Sequence, residues 1–576
     1  DISNGAFEAT PLVIDGILFV STGWSNALAF DGKTGKQLWH YDPQVPKDWA
    51  AKACCGPVSR GLAYADGRLF LATLDGRLIA LHRKSGKPLW TTQTFDRAAD
   101  YTITGAPRTV GGLVLIGNGG AELGVRGFVS AYDQTSGKLA WRFYTVPPRP
   151  GTKDGAASDA ILAKAASGWS GDWARLGGGG TVWDSMAYDP ALDLIYIGVG
   201  NGGPWNRQLR SAGKGDNLFL SSIVALHAKT GAYAWHFQTT PGDEWDYTAT
   251  QSIILADLMM DGKPRKVLMQ APKNGFFYVL DRETGEFLSG KPYVAVNWAK
   301  GLDPKSGRPI ENPTARWSET DKASAQTPGP LGGHNWHAMS YSAKTGLAYI
   351  PALEAGFNYV PAKSDYRYHP ATPNMGIEPV ETSLPEDLAV LAQARKTIHG
   401  ELIAWDPVKE RAAWRVRYPI VWNGGTLVTD GGLVFQGAAD GNLHAYDAAK
   451  GGRLWSLNLG AGIVAAPMSY RVDGEQYIAV AVGYGGGMPQ VAGAMTAEAK
   501  ATGINRLVVL KLNGTATLPD VSNRSFPPLN PPAATASAAQ VAAGRALYSR
   551  HCYVCHGAAA ISGGEVAELR YSGVLG

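Results

Sequence analysis

Six times along this chain an alanine is followed ten residues later by a tryptophan, and the residues between them spell a turn. The copies are Ala29 to Trp39, Ala80 to Trp90, Ala131 to Trp141, Ala225 to Trp235, Ala404 to Trp414 and Ala445 to Trp455. Asp or His lies two residues after each Ala, and most copies carry a Gly before the Trp. A seventh, degenerate copy at Val279-Leu-Asp281 and Thr284-Gly285 lacks the Trp. Asp with Thr-Gly closes a tight turn between two strands. The small Ala and the large Trp are complementary packing partners. If each Trp packs between neighbouring four-stranded sheets, the units stack radially and cover one another's faces, which is a β-propeller. A β-helix or an extended sandwich is the alternative. Short apolar runs beside Gly or Asp turns, such as Leu69–Ala72, Leu113–Ile116 and Leu194–Ile197, supply the other strands. His82 and His227 stand where other copies have Asp and read as tolerated turn variants.

The 72 glycines among 576 residues fit many tight turns, and the 18 tryptophans fit a repeated packing role. A net charge of +4 gives no reason to invoke nucleic acid or an anionic membrane. No apolar run reaches the roughly 18–20 residues of a membrane span. The chain opens DISNGAFEATP, already in a strand-like pattern, and reads as a truncated or processed start.

The repeats (residues 1–514) give way to a Pro/Ala-rich linker (515–537) and then to a final segment (538–576). That segment opens with an amphipathic helix pattern from Ala538 and reaches Cys552-Tyr-Val-Cys555-His556. Two thiols at this spacing can form thioethers to haem, and the adjacent His can ligate iron. A thioredoxin-like pair or half a zinc site would need a βαβ pattern or a second Cys pair, and neither follows. No Met follows His556 as a sixth ligand, so the start of a truncated, partly α-helical cytochrome c domain is expected. The other two of the four cysteines are neighbours, Cys54 and Cys55. Adjacent Cα atoms lie about 3.8 Å apart, below the usual span of about 4.4–6.8 Å for a disulfide. Bonding them needs a strained eight-membered ring; two separate small thiols are the alternative.

Further motifs accompany these: Cys54-Cys-Gly-Pro-Val-Ser-Arg60, Gly120-Ala121-Glu122-Leu-Gly-Val-Arg, Gly177-Gly-Gly-Gly-Thr181-Val-Trp183-Asp and Gly200-Asn201-Gly-Gly-Pro-Trp. Pro241-Gly-Asp-Glu-Trp-Asp246-Tyr, Ala271-Pro-Lys273-Asn-Gly-Phe-Phe and Gly333-His-Asn335-Trp336-His follow in order. From near residue 6 to about 512 this series resembles the alcohol dehydrogenases that depend on pyrroloquinoline quinone (PQQ). With the haem motif it resembles their soluble quinohaemoprotein branch.

The resemblance implies an all-β propeller of eight blades in the bacterial periplasm, with PQQ, Ca²⁺ and haem c as cofactors. It implies a vicinal Cys54–Cys55 disulfide on one face of the quinone and the Trp183 indole on the other. Arg60 and Lys273 are implied at the rim, with a cation at the reacting carbonyl favouring the reduced form. Glu8, Thr104, Gly120, Ala121, Thr181, Asn335 and Trp336 are implied as further cofactor contacts. Glu122, Asn201 and Asp246 are implied as oxygen ligands of Ca²⁺; without the resemblance they would read as turn-capping residues. Asp246 is also implied as the general base and Lys273 as its catalytic companion. Cys552, Cys555 and His556 would carry the haem. The implied partners are an alcohol and a soluble acceptor such as a cytochrome or an azurin-like protein. Two rivals stand beside this reading: a non-catalytic propeller scaffold with a haem tail, and the large subunit of a membrane-bound multi-haem dehydrogenase. The Pro-rich stretch 358–395 is expected to overhang the pocket.

Overall fold

In every one of the six repeats the Ala and its Trp face each other across an antiparallel strand pair, as in Ala29 opposite Trp39 and Ala131 opposite Trp141. A one-residue bulge follows the Ala each time, which explains the constant spacing. In the degenerate repeat Ser289 takes the Trp position opposite Val279. The turns are built as expected. Asp31 Oδ1 accepts from the backbone N–H groups of Lys33 and Thr34, and Asp133 and Asp281 do the same for their own turns. In the His82 variant the ring Nδ1 pairs with Ser85 Oγ at 3.0 Å.

Four of these Trp side chains hydrogen bond to the next unit. The Trp39, Trp90, Trp141 and Trp414 indole N–H groups donate to the backbone carbonyls of Arg83, Gln134, Ala228 and Ala448. Their rings cover the turn glycine of that neighbour; a Cβ on Gly231 would stand 2.4 Å from the Trp141 ring. Repeating this step closes a ring of sheets.

This computed structural model describes residues 6–320, 322–363, 366–500, 505–519, 528–530, 533–562 and 569–571. Among them are eight successive propeller sheets: 12–41, 63–93, 108–144, 186–238, 253–292, 340–418, 426–458 and 468–511. The first seven have four strands each, and three strands are described in the eighth. The core lies between blades. One cluster joins Leu115, Val129 and Trp141 of the third blade to Ile195 and Val224 of the fourth. Among the described residues no helix is long and apolar enough to cross a membrane.

After the last blade, helix Ala538–His551 starts at a capping box between Ser537 and Gln540. The amphipathic reading of this helix needs correction. Val541 and Leu547 are exposed and only Ser549 is buried, because the helix meets the propeller through one edge, against Pro379–Thr382. A short helix, Tyr553–His556, carries the last of the Cys-x-x-Cys-His motif.

Candidate active site

The loops that join strands at one end of the ring hold most of the sequence motifs. Gly120 and Gly124, both with positive φ, bracket a single turn, Ala121–Leu123, that presents Glu122. Glu122 Oε1 accepts from Asn201 Nδ2 at 2.8 Å and from Trp205 Nε1 at 3.1 Å. Thr181 is buried and its carbonyl accepts from Gly200 N, which fixes the start of the Asn201 loop. Asp246 sits at φ 64°, in the left-handed region, and its Oδ2 lies 2.9 Å from Lys273 Nζ. Burial raises the Asp246 carboxyl well above the ordinary range; Lys273 opposes that shift and the nearby charge of Glu122 adds to it. Two carboxylates that repel each other, with an amide beside them, are a hard-oxygen donor set fit for a divalent cation. The amide would present its oxygen to a metal by a flip of the Asn201 side chain.

A second cluster is cationic and aromatic. The Arg60 guanidinium donates to Thr104 Oγ1 at 2.7 Å, pairs with Glu8 at 3.0 Å, and lies over the rings of Trp183 and Trp336. Burial works against the Arg60 charge, but Glu8 and Asp184 hold its pKa above the usual value. Arg60 Nε, Trp336 Nε1 and His337 Nε2 are buried with no hydrogen-bond partner among the described residues, while His337 stacks on Trp336 with ring centroids 4.2 Å apart. Buried donors without acceptors are costly unless an anion arrives to accept from them. This corner therefore fits the carboxylates of a flat anionic cofactor. Asn335 Nδ2 is spent on the carbonyl of Leu331.

Cys54 and Cys55 are two free thiols with no bond between them. Their side chains hydrogen bond to each other, and that contact raises the Cys54 thiol. Beyond them, helix Gly487–Val491 separates this pair from the haem motif. Gln490 Nε2 donates to the Cys54 carbonyl at 3.4 Å, and the same side chain hydrogen bonds with Cys555. Cys552 and Cys555 are partly buried free thiols, and Leu384 N donates to Tyr553 OH between them. The Pro-rich stretch lies across the Glu122 turn: Asn374 N donates to Glu122 O at 2.7 Å and Tyr368 OH to Leu123 O at 3.2 Å.

The structure thus gathers Glu122, Asn201, Asp246 and Lys273 in one group, and Glu8, Arg60, Thr104, Trp183 and Trp336 in another. Sequence reasoning missed Trp205, Asp184, His337 and Gln490. Trp205 was within reach, since it ends the Asn201-Gly-Gly-Pro motif; Gln490 had no local signal.

The family described as PQQ: glucose/ethanol/alcohol dehydrogenase, beta-propeller domain, matches residues 1–297 and 308–478. The chain is 50% identical to quinohemoprotein alcohol dehydrogenase ADH IIB of Pseudomonas putida, over 99% of this chain and 81% of that one. It belongs to the quinohaemoprotein alcohol dehydrogenases. The solved structure of quinohemoprotein alcohol dehydrogenase ADHIIG from Pseudomonas putida HK5 superposes with a TM-score of 0.95 at 48% identity, covering 98% of this chain and 83% of that one. The dehydrogenase subunit of alcohol dehydrogenase (quinone) from Acetobacter aceti is 48% identical over 100% of this chain and 78% of its own length. As a quinohaemoprotein alcohol dehydrogenase the chain is an enzyme that uses PQQ and haem, and its propeller is not a passive scaffold.

Proposed function

We propose that this enzyme oxidises alcohols to aldehydes or ketones with Asp246 as general base, at a site where Glu122, Asn201 and Asp246 hold Ca²⁺. When bound, PQQ would supply the two-electron oxidant, Ca²⁺ held by Glu122, Asn201 and Asp246 would supply Lewis acidity, and haem c would supply the one-electron carrier. The chain's own residues do the rest. Asp246 accepts the hydroxyl proton of the alcohol, and Lys273, 2.9 Å away, opposes the rise that burial imposes on its carboxyl. Arg60, Thr104, Trp336 and Glu8 would fix the cofactor rim, while Trp183 offers a flat face for stacking. Gly120 and Ala121 shape the turn that aims Glu122, and Thr181 and Asn335 complete the polar wall. Cys552 and Cys555 would form the thioethers, with His556 as an iron ligand.

The Cys54–Cys55 pair is proposed to close into a disulfide in the mature enzyme. Closure releases two protons and two electrons to a thiol oxidant, which suits an oxidising compartment. That and the c-type haem motif support a periplasmic location, with a small cytochrome or azurin-like protein as acceptor. The likeness to the Acetobacter dehydrogenase subunit supports a second arrangement, in which this chain passes electrons to a partner cytochrome subunit. Cell fractionation and co-purification separate the two.

The observation that carries the proposal is the buried Lys273–Asp246 pair beside the Glu122–Asn201 contact. The test is to add PQQ and Ca²⁺ to the cofactor-free protein and follow alcohol-dependent dye reduction. Activity that needs both additions is expected; none across short and long alcohols would overturn the reading.

A further inference from the structure

Arg210 is completely buried, at 0% exposure, and makes no ion pair among the described residues. Its five N–H donors are nevertheless all spent. Nη1 donates to the carbonyls of Pro204 at 2.5 Å and Trp205 at 3.0 Å. Nη2 donates to the carbonyl of Asp243 at 2.5 Å, and Nε and Nη2 both reach Asn217 Oδ1. An arginine fork with five fixed donors is a rigid spacer between the groups that accept from it. Here those groups lie on two separate loops. Pro204 and Trp205 continue the loop that starts with Asn201, and Trp205 also donates to Glu122. Asp243 opens the turn that ends at Asp246, where its Oδ1 accepts from Trp245 N and Tyr247 N.

The sequence is arranged around this contact. Arg210 sits on the short helix Arg207–Ser211, whose first turn is capped by Asn206 through Leu209 N. Residue 202 is Gly, and a Cβ there would lie 2.3 Å from Arg210 Nη1. Burial pulls the guanidinium pKa down to about 10, so it stays charged at neutral pH. Asp243 and Glu244 supply the compensating field at longer range.

We propose that Arg210 is a positioning residue: its guanidinium sets the separation between the Asn201–Trp205 loop and the Asp246 turn, and so the span across which Glu122, Asn201 and Asp246 close on a cation. This rests on the reading of those three as metal ligands. Groups behind a metal's direct ligands commonly change affinity by about 10–100-fold when altered. Lys does not reproduce the fork, because it offers three donors from one nitrogen where Arg210 makes five donations from three.

The test uses the haem-bearing chain, stripped of metal and loaded with PQQ, titrated with Ca²⁺ and followed by the cofactor's absorbance. Arg210→Lys and Gly202→Ala are compared with the parent, with Glu122→Gln as the reference for a lost ligand. Gly202→Ala keeps the arginine and its charge but evicts it from its seat, so it decides the matter if Arg210→Lys does not fold. Both variants are expected to bind Ca²⁺ at least about tenfold more weakly, with kcat regained at high Ca²⁺. Unchanged affinity in the folded variants, with Glu122→Gln impaired, overturns the role of Arg210 alone. Unchanged affinity in Glu122→Gln as well overturns the metal site itself.

Discussion

Asp246 and Lys273 stand 2.9 Å apart, both largely shielded from solvent, on loops that lie 27 residues apart in sequence. Burial pushes the carboxyl towards its neutral form, and the ammonium is the main force against that. A base must be deprotonated to act, so activity should rise with pH through its pKa. Asp246→Asn is expected to lower kcat by about 10²–10⁴-fold with PQQ still bound. Lys273→Met removes the opposing charge and should move the rising limb of the pH–rate profile to higher pH. A limb that stays in place, measured with saturating alcohol, would remove Lys273 from that role.

Asp184 offers a pH test that does not involve turnover. It is buried beside Trp183, and burial raises its carboxyl from the usual 3.8 to about 6, with Arg60 and Arg108 opposing the rise. A raised pKa means the folded state holds the proton more tightly than the unfolded state. Its contribution to stability is therefore full below 3.8 and is lost as pH climbs to about 6. Asp184→Asn should stabilise the protein by about 3 kcal/mol above that window and by nothing well below it, near about pH 3. Thermal unfolding at several pH values reads this directly; a constant offset would contradict it.

The tryptophans should differ in worth although their repeats read alike. Trp141 is buried, covers Gly231 and donates to Ala228 O. Trp455 is 40% exposed. Trp141→Ala should cost about 3–5 kcal/mol, and Trp455→Ala far less. Equal losses in denaturant unfolding would show that docking between blades is not what these residues supply.

Gln490 is the side chain that touches both cysteine pairs. Gln490→Leu keeps the volume and removes the hydrogen bonds. Stopped-flow mixing with alcohol should then show slower haem reduction with unchanged cofactor reduction. Equal haem rates in parent and variant would mean that electrons cross elsewhere.

How much of this was legible beforehand follows from distance along the chain. The Ala-to-Trp interval is written in eleven consecutive residues, and the bulge that sets it is local. Glu122 and Asp246 could be picked out because the motifs around them resemble those of a known family; alone they would read as turn caps. The thiol state of Cys54 and Cys55 could not be, since two neighbours can be bonded or free on the same backbone sequence. Arg210 was invisible for another reason: nothing in Arg-Gln-Leu-Arg-Ser marks which arginine turns inward.

Local order decided the strands, the turns and the radial stacking, because hydrogen bonds and side-chain complementarity within a hairpin depend on residues close in sequence. The ring alone decided that Lys273 meets Asp246, that Arg210 ties Pro204 to Asp243, and that Gln490 reaches both Cys54 and Cys555. Those contacts join loops that are apart in sequence, and their distances are set by how the strands and sheets pack, a property no single stretch of residues encodes.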